Sequence, residues 1–454
     1  MERYKVNRYV FFKKDGDKGV ILNLFNGVIV YLDTTDEVKC FQRIMDKTEP
    51  LKREEFGLMF DELYHHKIII SEDIEEQDVI LRRFLNDTEQ RKLHLTVFVT
   101  EHCNFSCRYC FVDKRNAHTM TEQEFRRIYR MILEREDRIG YDEVSISWFG
   151  GEPLLAVEQI ENFLTYVKNK RKNTNVRISC SMVTNGYLLT LRQFLRLYRM
   201  GINVIQVTFD GSKKSHDFFR RHKEQGDTFE KIFHNLLAIK KTDIRDFLII
   251  VRCNYDKGNL QAIEVDEFIC QYDKYFKGDK RFRLQLSPIV DYCMWGDNDG
   301  ELKTYIGNLS YMVHKAEQFE VLQENLLDMV RPKKRWCPVF DSHNITINSR
   351  GEIYACDSVI SDKRYRLAWV DEEGRWIENT EAKIIDIKNQ LGEACVLCKK
   401  MPICFGSCYL IKSRYGHNAC FCTNSEMEQF MTYLLKNKEK VLSVKDSTER
   451  REHV

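Results

Sequence analysis

Two rhythms of apolar residues alternate between residues 93 and 288. Runs rich in β-branched and aromatic side chains lie at 93–100, 144–149, 177–183, 203–209, 247–254 and 282–288, and they read as strands. Between them apolar residues recur at helical spacing, as at Phe125, Ile128 and Ile132, and predict helices over 157–171, 192–200, 229–239 and 259–272. Thr121, with Glu124 three residues on, forms a capping box that opens the first helix. Six strands alternating with helices predict a parallel α/β sheet, an incomplete (β/α)6 barrel beside the eightfold one. Chemistry in such folds gathers at the C-terminal ends of the strands.

The pattern differs on either side. Residues 9–13, 20–24 and 28–32 read as strands, with Asp15-Gly16 and Asn26-Gly27 as hairpin turns. Thr34 and Glu37 cap a helix to about Met45, and Phe56, Met59, Phe60 and Leu63 predict a second over 52–66. His65 and His66 end that helix, where they suit its dipole rather than a metal. A short apolar run at 68–70 and a charged connecting helix over 75–92 complete a small winged-helix-like α+β unit. Near the other end, residues 345–347 and 353–355 flank Ser349-Arg350-Gly351 as a hairpin, and a last helix begins after Cys422. The expected division is 1–88, 89–310 and 311–454.

Charge and composition narrow the function. Lys plus Arg (71) nearly balance Asp plus Glu (69), so no global positive field favours nucleic acid. No apolar run approaches bilayer length, and the first residues lack the apolar core of a signal peptide. A cytoplasmic protein without nucleic-acid or membrane partners is expected. Sixteen cysteines in that setting read as metal ligands and core thiols, not disulfides. Cys40, Cys180, Cys253 and Cys270 lie in apolar elements and are expected in the core; Cys293 lies in a loop over 291–300.

Cys103, Cys107 and Cys110 follow the first barrel strand with C-x3-C-x2-C spacing. Thiolates at this density favour an iron–sulfur cluster, with a zinc knuckle as the alternative. With Tyr109 just before the last cysteine, the stretch resembles the signature of radical S-adenosylmethionine (SAM) enzymes. That resemblance implies a [4Fe–4S] cluster whose open iron binds the amino and carboxylate groups of SAM. Gly150-Gly151-Glu152 follows the second strand. Glycines let backbone approach a ligand closely, and a carboxylate can pair with an ammonium. The placement resembles the motif that holds the SAM amino group. Residues 206–211 (QVTFDG), then His216, Asp217 and Arg220, resemble the subfamily of sulfatase maturases and peptide thioether synthases. By that resemblance Thr208 contacts SAM and Arg220 its carboxylate, a sound role for a guanidinium. Taken alone, Asp210-Gly211 would read as a turn and Arg220 as a surface ion pair; in this sequence order they do not. Asn185, Arg252 and Asn254 also fall at strand ends and are candidates to line cofactor or substrate.

The last third carries Cys337, then Gly351-x4-Cys356, then Cys395-x2-Cys398-x5-Cys404-x3-Cys408, then Cys420 and Cys422. This resembles SPASM domains, which hold two auxiliary [4Fe–4S] clusters. The resemblance implies Cys337, Cys356 and Cys408 for the first, and Cys395, Cys398, Cys404 and Cys422 for the second. Cys422 is preferred to Cys420 because a helix starts just after it. His343 is the nearest candidate for a fourth ligand to the first. Structural zinc is the alternative for the Cys395–Cys408 group.

The whole resembles a SPASM-type radical SAM peptide maturase, and the first unit resembles the PqqD-like element that binds precursor-peptide leaders by strand addition. The alternative there is a capping domain without a ligand. The implied cofactors are SAM and three [4Fe–4S] clusters. The implied partners are a ribosomal precursor peptide with its leader and an electron donor, a reductase or a flavodoxin or ferredoxin. The expected reaction joins a substrate cysteine sulfur to a peptide carbon. The alternatives are formylglycine formation, with Asp357 at the position of the maturase base, and carbon–carbon crosslinking or epimerisation. A non-catalytic iron–sulfur electron carrier is the rival outside enzymes.

Overall fold

The computed structural model describes residues 2–85, 91–171, 175–255, 264–289, 308–333, 337, 339, 341–380, 391–406, 408, 410, 412, 420 and 422–444. The expected loop over 291–300 with Cys293, and the first turn of the helix expected over 259–272, lie outside them. Two compact units make up the chain. One comprises Met1–Asn86, Tyr305–Trp336 and Ile387–Val454, the other Asp87–Thr304 and Cys337–Asp386. Residues 311–454, expected as one segment, are thus shared between the units.

In the first unit, β1 (Tyr4–Val6) precedes β2 (Val10–Asp15), β3 (Lys18–Asn23) and β4 (Val28–Leu32). β2, β3 and β4 form an antiparallel sheet with β4 at one edge. Its two hairpin turns use Gly16 and Gly27 at φ +56° and +79°, a region open to glycine because it lacks a Cβ. α1 (Thr35–Asp46) starts at the expected capping box of Thr34 and Glu37. The helix expected over 52–66 is broken. A 3-10 turn at Arg53–Glu55 gives way to α2 (Gly57–His65), because Gly57 takes φ +54°. β5 (Ile69–Ser71) pairs antiparallel with β1, a three-residue strand too short to leave a pattern, and α3 (Glu76–Leu85) follows. Tyr4, Phe41, Phe60, Leu63 and Ile69 are buried in its core. The helix Asn424–Lys436 of this unit has its own capping box, Thr423 with Glu426. Around it, Lys13 pairs with Glu428 at 3.0 Å and Tyr31 Oη donates to Leu434 O at 3.2 Å.

The second unit opens with β6 (Lys92–Thr100). Then come α4 (Glu122–Ile139), β7 (Glu143–Gly150), α5 (Val157–Lys170), β8 (Arg177–Thr184), α6 (Leu191–Arg199) and β9 (Ile202–Phe209). α7 (Lys213–Phe219), α8 (Phe229–Lys240), β10 (Leu248–Tyr255), α9 (Val265–Phe276) and β11 (Phe282–Pro288) complete the alternation. β6 to β11 lie side by side in chain order, every neighbouring pair parallel. The six expected strands are all present. Buried Leu93, Leu95, Val97, Trp148, Ile205, Val207 and Val251 fill the space between sheet and helices. Cys180 and Cys253 are buried as expected, Cys40 is half-buried, and Cys270 is exposed on α9, contrary to expectation. α9 keeps its buried stripe at Phe268, Ile269, Tyr272 and Phe276, and residue 270 falls off that stripe.

The expected hairpin forms as β12 (Asn344–Ile347) and β13 (Glu352–Tyr354), but it does not stand apart. β12 pairs in parallel with β6, from Asn344 opposite His94 to Ile347 opposite Val97. β14 (Arg366–Val370) and β15 (Trp376–Glu378) continue the sheet to ten strands. This pairing is why residues 337–386 belong to the second unit. The β12–β13 turn therefore sits at the C-terminal end of β6. There Ser349 Oγ donates to Glu101 Oε2 at 2.6 Å, and the same carboxylate accepts His118 N at 3.0 Å. Both Ser349 and Glu101 are buried. Ser349→Ala should leave a buried carboxylate oxygen short of a donor and destabilise the protein by about 1–3 kcal/mol, read as a lower urea midpoint.

Candidate active site

Cys103, Cys107 and Cys110 lie half-buried on the loop that leaves β6. Phe105, fully buried, anchors that loop between them. A second loop, just after α7, pairs with it through the antiparallel bridge of Phe105 and His222. Ser106 N donates to Arg221 O at 2.9 Å, Arg108 N to Phe219 O at 3.2 Å, and Lys223 N to Asn104 O at 2.9 Å. Burial pushes the Cys107 thiol up to about 11, against the opposing charge of Arg220, and raises Cys103 as well. Metal binding at these thiols must therefore release protons.

Tyr109, between the last two cysteines, is tied down by its hydroxyl. It lies 2.7 Å from both carboxylate oxygens of Asp210, to which it donates. It accepts from Arg220 Nη1 at 2.9 Å and from Asn254 Nδ2 at 2.9 Å. Asn254 Nδ2 also donates to Asp210 Oδ1 at 3.0 Å. Asp210 has no exposed surface; burial pushes its carboxyl up, and Arg220, Tyr109 and Asn254 oppose that shift. The alternatives for these residues taken alone, a bare turn at Asp210-Gly211 and a surface ion pair at Arg220, do not describe them: both Asp210 and Arg220 are buried in one network. Thr208 and Arg252 occupy paired positions on β9 and β10 just before it.

Gly150 and Gly151 let the protein's own backbone come close. A Cβ at Gly150 would lie 2.2 Å from Thr100 O, and one at Gly151 would lie 2.3 Å from His102 O. Their bareness lets the chain after β7 cross the chain after β6. Glu152 is buried beyond them. Its carboxylate accepts from Thr184 Oγ1 at 2.6 Å, Asn185 N at 2.8 Å and Leu154 N at 3.0 Å. Burial pushes Glu152 up and these bonds oppose the shift. Asn185 Nδ2 in turn donates to Asn104 Oδ1 at 2.7 Å, inside the cysteine loop. Asn104 was not foreseen; nothing in the sequence separates it from its neighbours.

Three buried side-chain nitrogens here have no partner among the described residues, Asn104 Nδ2, Arg220 Nε and His216 Nε2, whose ring accepts Asp210 N at Nδ1. Orphaned buried donors are rare. With three thiols alongside, they fit an iron–sulfur cluster and an anionic cofactor group.

The other cysteines are divided. Cys395, Cys398, Cys404, Cys420 and Cys422, with Met401, line a cavity of about 110 Å³ in the first unit. Cys422 is buried, its thiol pushed up to about 12 by desolvation, whereas Cys420 is exposed. Five soft sulfur donors around one cavity suit a cluster there. Among the described residues no three His, Cys, Asp or Glu groups gather as the ligands of a single metal ion. Cys337 and Cys356 belong to the second unit and Cys408 to the first. Asp357 follows Cys356 in a 3-10 turn, with its Oδ1 3.4 Å from Cys356 Sγ. His343, the expected candidate for a fourth ligand, has partners at the other end of β6. Its Nδ1 lies 2.7 Å from Tyr141 Oη, and its carbonyl accepts His94 N, near the start of β6.

Residues 97–258, from within β6 to just beyond β10, match the model of the radical SAM superfamily. The chain carries a radical SAM domain. It is an enzyme of that chemistry. Over 381 residues this radical SAM chain is 23% identical to the cysteine-type anaerobic sulfatase-maturating enzyme of Clostridium novyi (strain NT), covering 78% of this chain and 97% of that one. It is 22% identical over 362 residues to the radical SAM cyclopropyl synthase TigE of Paramaledivibacter caminithermalis, covering 73% of this chain and 71% of TigE. Its fold is similar to that of native anSMEcpe with bound AdoMet and Cp18Cys peptide, at TM-score 0.56 and 19% identity, over 79% of this chain and 99% of that one.

Tyr109→Phe should destabilise the metal-free protein by about 1–3 kcal/mol, because three buried polar groups lose a partner. Asp210→Asn should cost more, since buried Arg220 then loses a nearby anion. The double variant should lose less than the sum of the two, as coupled residues do; urea denaturation of all four proteins measures this.

Proposed function

We propose that this protein is a maturase that modifies a ribosomally synthesised precursor peptide, joining a cysteine sulfur to a backbone or side-chain carbon as a thioether. The observation that carries the reading is the site at the strand ends: three thiols on one loop, braced by buried polar groups, beside donors left without partners. Cys103, Cys107 and Cys110 would hold a [4Fe–4S] cluster, with SAM among Tyr109, Gly150, Gly151, Glu152, Asn185, Thr208 and Arg220. Bound there, the pair supplies the one-electron cleavage of SAM that yields a 5′-deoxyadenosyl radical. Arg220 Nε would meet the SAM carboxylate. Glu152 accepts three hydrogen bonds, and its carboxylate has lone-pair capacity for a fourth, which the SAM ammonium would supply. Cys395, Cys398, Cys404 and Cys422 of the first unit would hold one auxiliary cluster, and Cys337 and Cys356 of the second unit would serve another.

Support for a peptide substrate comes from what is similar. The relatives include a sulfatase-maturating enzyme and a cyclopropyl synthase, and the anSMEcpe structure holds a peptide. No helix among the described residues is long and apolar enough to cross a membrane. A reducing cytoplasm would keep so many thiols available for metal. In the N-terminal unit, β4 lies at a sheet edge and offers a template for an added leader strand, as in a PqqD-like element. The second reading is formylglycine formation. Similarity to a sulfatase-maturating enzyme along nearly its whole length favours it, with Asp357 beside Cys356 as the base.

Reductive SAM cleavage to 5′-deoxyadenosine should be lost when Cys103, Cys107 and Cys110 are all changed to Ala, while auxiliary iron stays bound. The reconstituted wild type should carry about twelve irons, three four-iron clusters. Retained cleavage in the triple variant, or about four irons with zinc, would overturn the assignment.

Mass spectrometry of the peptide encoded beside the gene, after coexpression, separates the two readings. A thioether removes two hydrogens and keeps every sulfur; formylglycine made from cysteine loses the sulfur and gains an aldehyde. Leader capture predicts that a proline at Ile29 weakens modification of full-length precursor but not of leaderless core. A folded proline variant working at the wild-type rate would make the first unit a structural cap.

A further inference from the structure

The cysteine loop carries a positively charged rim that the site itself does not use. The ladder between residues 104–108 and 219–223 sets Arg221 and Lys223 against the backbone that bears Cys107. Arg108 adjoins Cys107 directly. All three side chains are exposed, whereas Arg220 between them is buried in the Tyr109 network. The Arg108 guanidinium lies 3.7 Å from the ring centre of Phe218, itself 36% exposed. That stacking holds one cation and one apolar face together at the surface.

The basic residues nearby are otherwise engaged. Arg115 pairs with Asp113 at 2.8 Å, Lys213 with Asp217 at 2.8 Å, and Lys114 Nζ donates to Phe105 O at 3.1 Å. Arg108, Arg221 and Lys223 take part in no ion pair among the described residues. Glu224 is the exposed acid beside them in sequence. Three cations outside any ion pair among the described residues, one on the cysteine loop and two on the loop laddered to it, form a local positive field in a chain whose charges otherwise nearly cancel.

Resting on the radical SAM reading, we propose that Arg108, Arg221 and Lys223, with Phe218, form the docking surface for an acidic one-electron carrier protein. The chemistry requires one electron to enter at Cys103, Cys107 and Cys110 for each SAM cleaved. The carrier gives up that electron and is oxidised by one; the cluster gains it, and no atom is transferred. A complementary acidic face would be steered to the rim, chiefly raising the association rate at low salt.

Arg221→Glu, Lys223→Glu and the double variant test this in the full-length, reconstituted enzyme. With chemically reduced flavodoxin as donor at low salt, the double variant should form 5′-deoxyadenosine about tenfold more slowly or worse. With dithionite, which needs no docking, it should match the wild type. Added salt should slow the flavodoxin-driven wild type and leave the variant nearly unchanged. Equal flavodoxin-driven rates at low salt would overturn the proposal. So would a parallel loss with dithionite, which would make these residues structural. Unchanged reduction with weakened binding of an acidic substrate peptide would reassign the rim to substrate. Absence of dithionite-driven cleavage in the wild type would remove the radical SAM reading itself, and the proposal with it.

Discussion

A carboxylate shut away from water dominates this site. Asp210 has no exposed surface, and a buried charge without partners would cost several kcal/mol. Its partners come from elsewhere in the chain: the Tyr109 hydroxyl from the cysteine loop and Asn254 from the end of β10, with the nearby charge of Arg220 from the end of α7. Satisfying Asp210 therefore fixes the cysteine loop against two strand ends. Tyr109 sits between Cys107 and Cys110, so the placement of two sulfurs follows from the same network.

The loop is held from the other side by an equivalent argument. Glu152 is buried and takes three donors, two of them from the end of β8. Asn185, so fixed, reaches Asn104 in the cysteine loop. The bare glycines at 150 and 151 make this second brace possible, because any side chain there would strike the backbone of Thr100 and His102. What the two braces leave over is informative. Arg220 Nε, Asn104 Nδ2 and His216 Nε2 remain unpaired inside this polar cluster. A ligand seated beside the three thiols would use them.

The rest of the second unit supports this arrangement. Parallel strands need long crossovers, and the intervening helices cover the sheet with apolar side chains. β12 extends the same sheet beside β6, and its turn reaches Glu101, one residue beyond β6 and two before Cys103. Residues distant in sequence thus brace the strand end from which the cysteine loop departs. The first unit brings its own core and a sheet with an open edge, and it also holds the five-cysteine cavity.

The sequence alone determined the elements, because periodicity and caps are local. All six parallel strands, the three capping boxes at Thr34, Thr121 and Thr423, and the cysteine spacings are written in neighbouring residues. So was the position of each motif just past a strand end. Tertiary structure decided what those residues touch. The break at Gly57 depended on a backbone angle that a helical pattern does not encode, and β1 was too short to show any pattern. The hairpin at 344–354 was legible, but its union with β6 was not, since pairing partners 250 residues apart leave no mark in either segment. Taken alone, Asp210-Gly211 fits a bare turn as well as a site, because an Asp-Gly pair looks the same exposed or buried. Only the convergence of Tyr109, Arg220 and Asn254 made it the centre of a site, and burial is a property of the assembled fold.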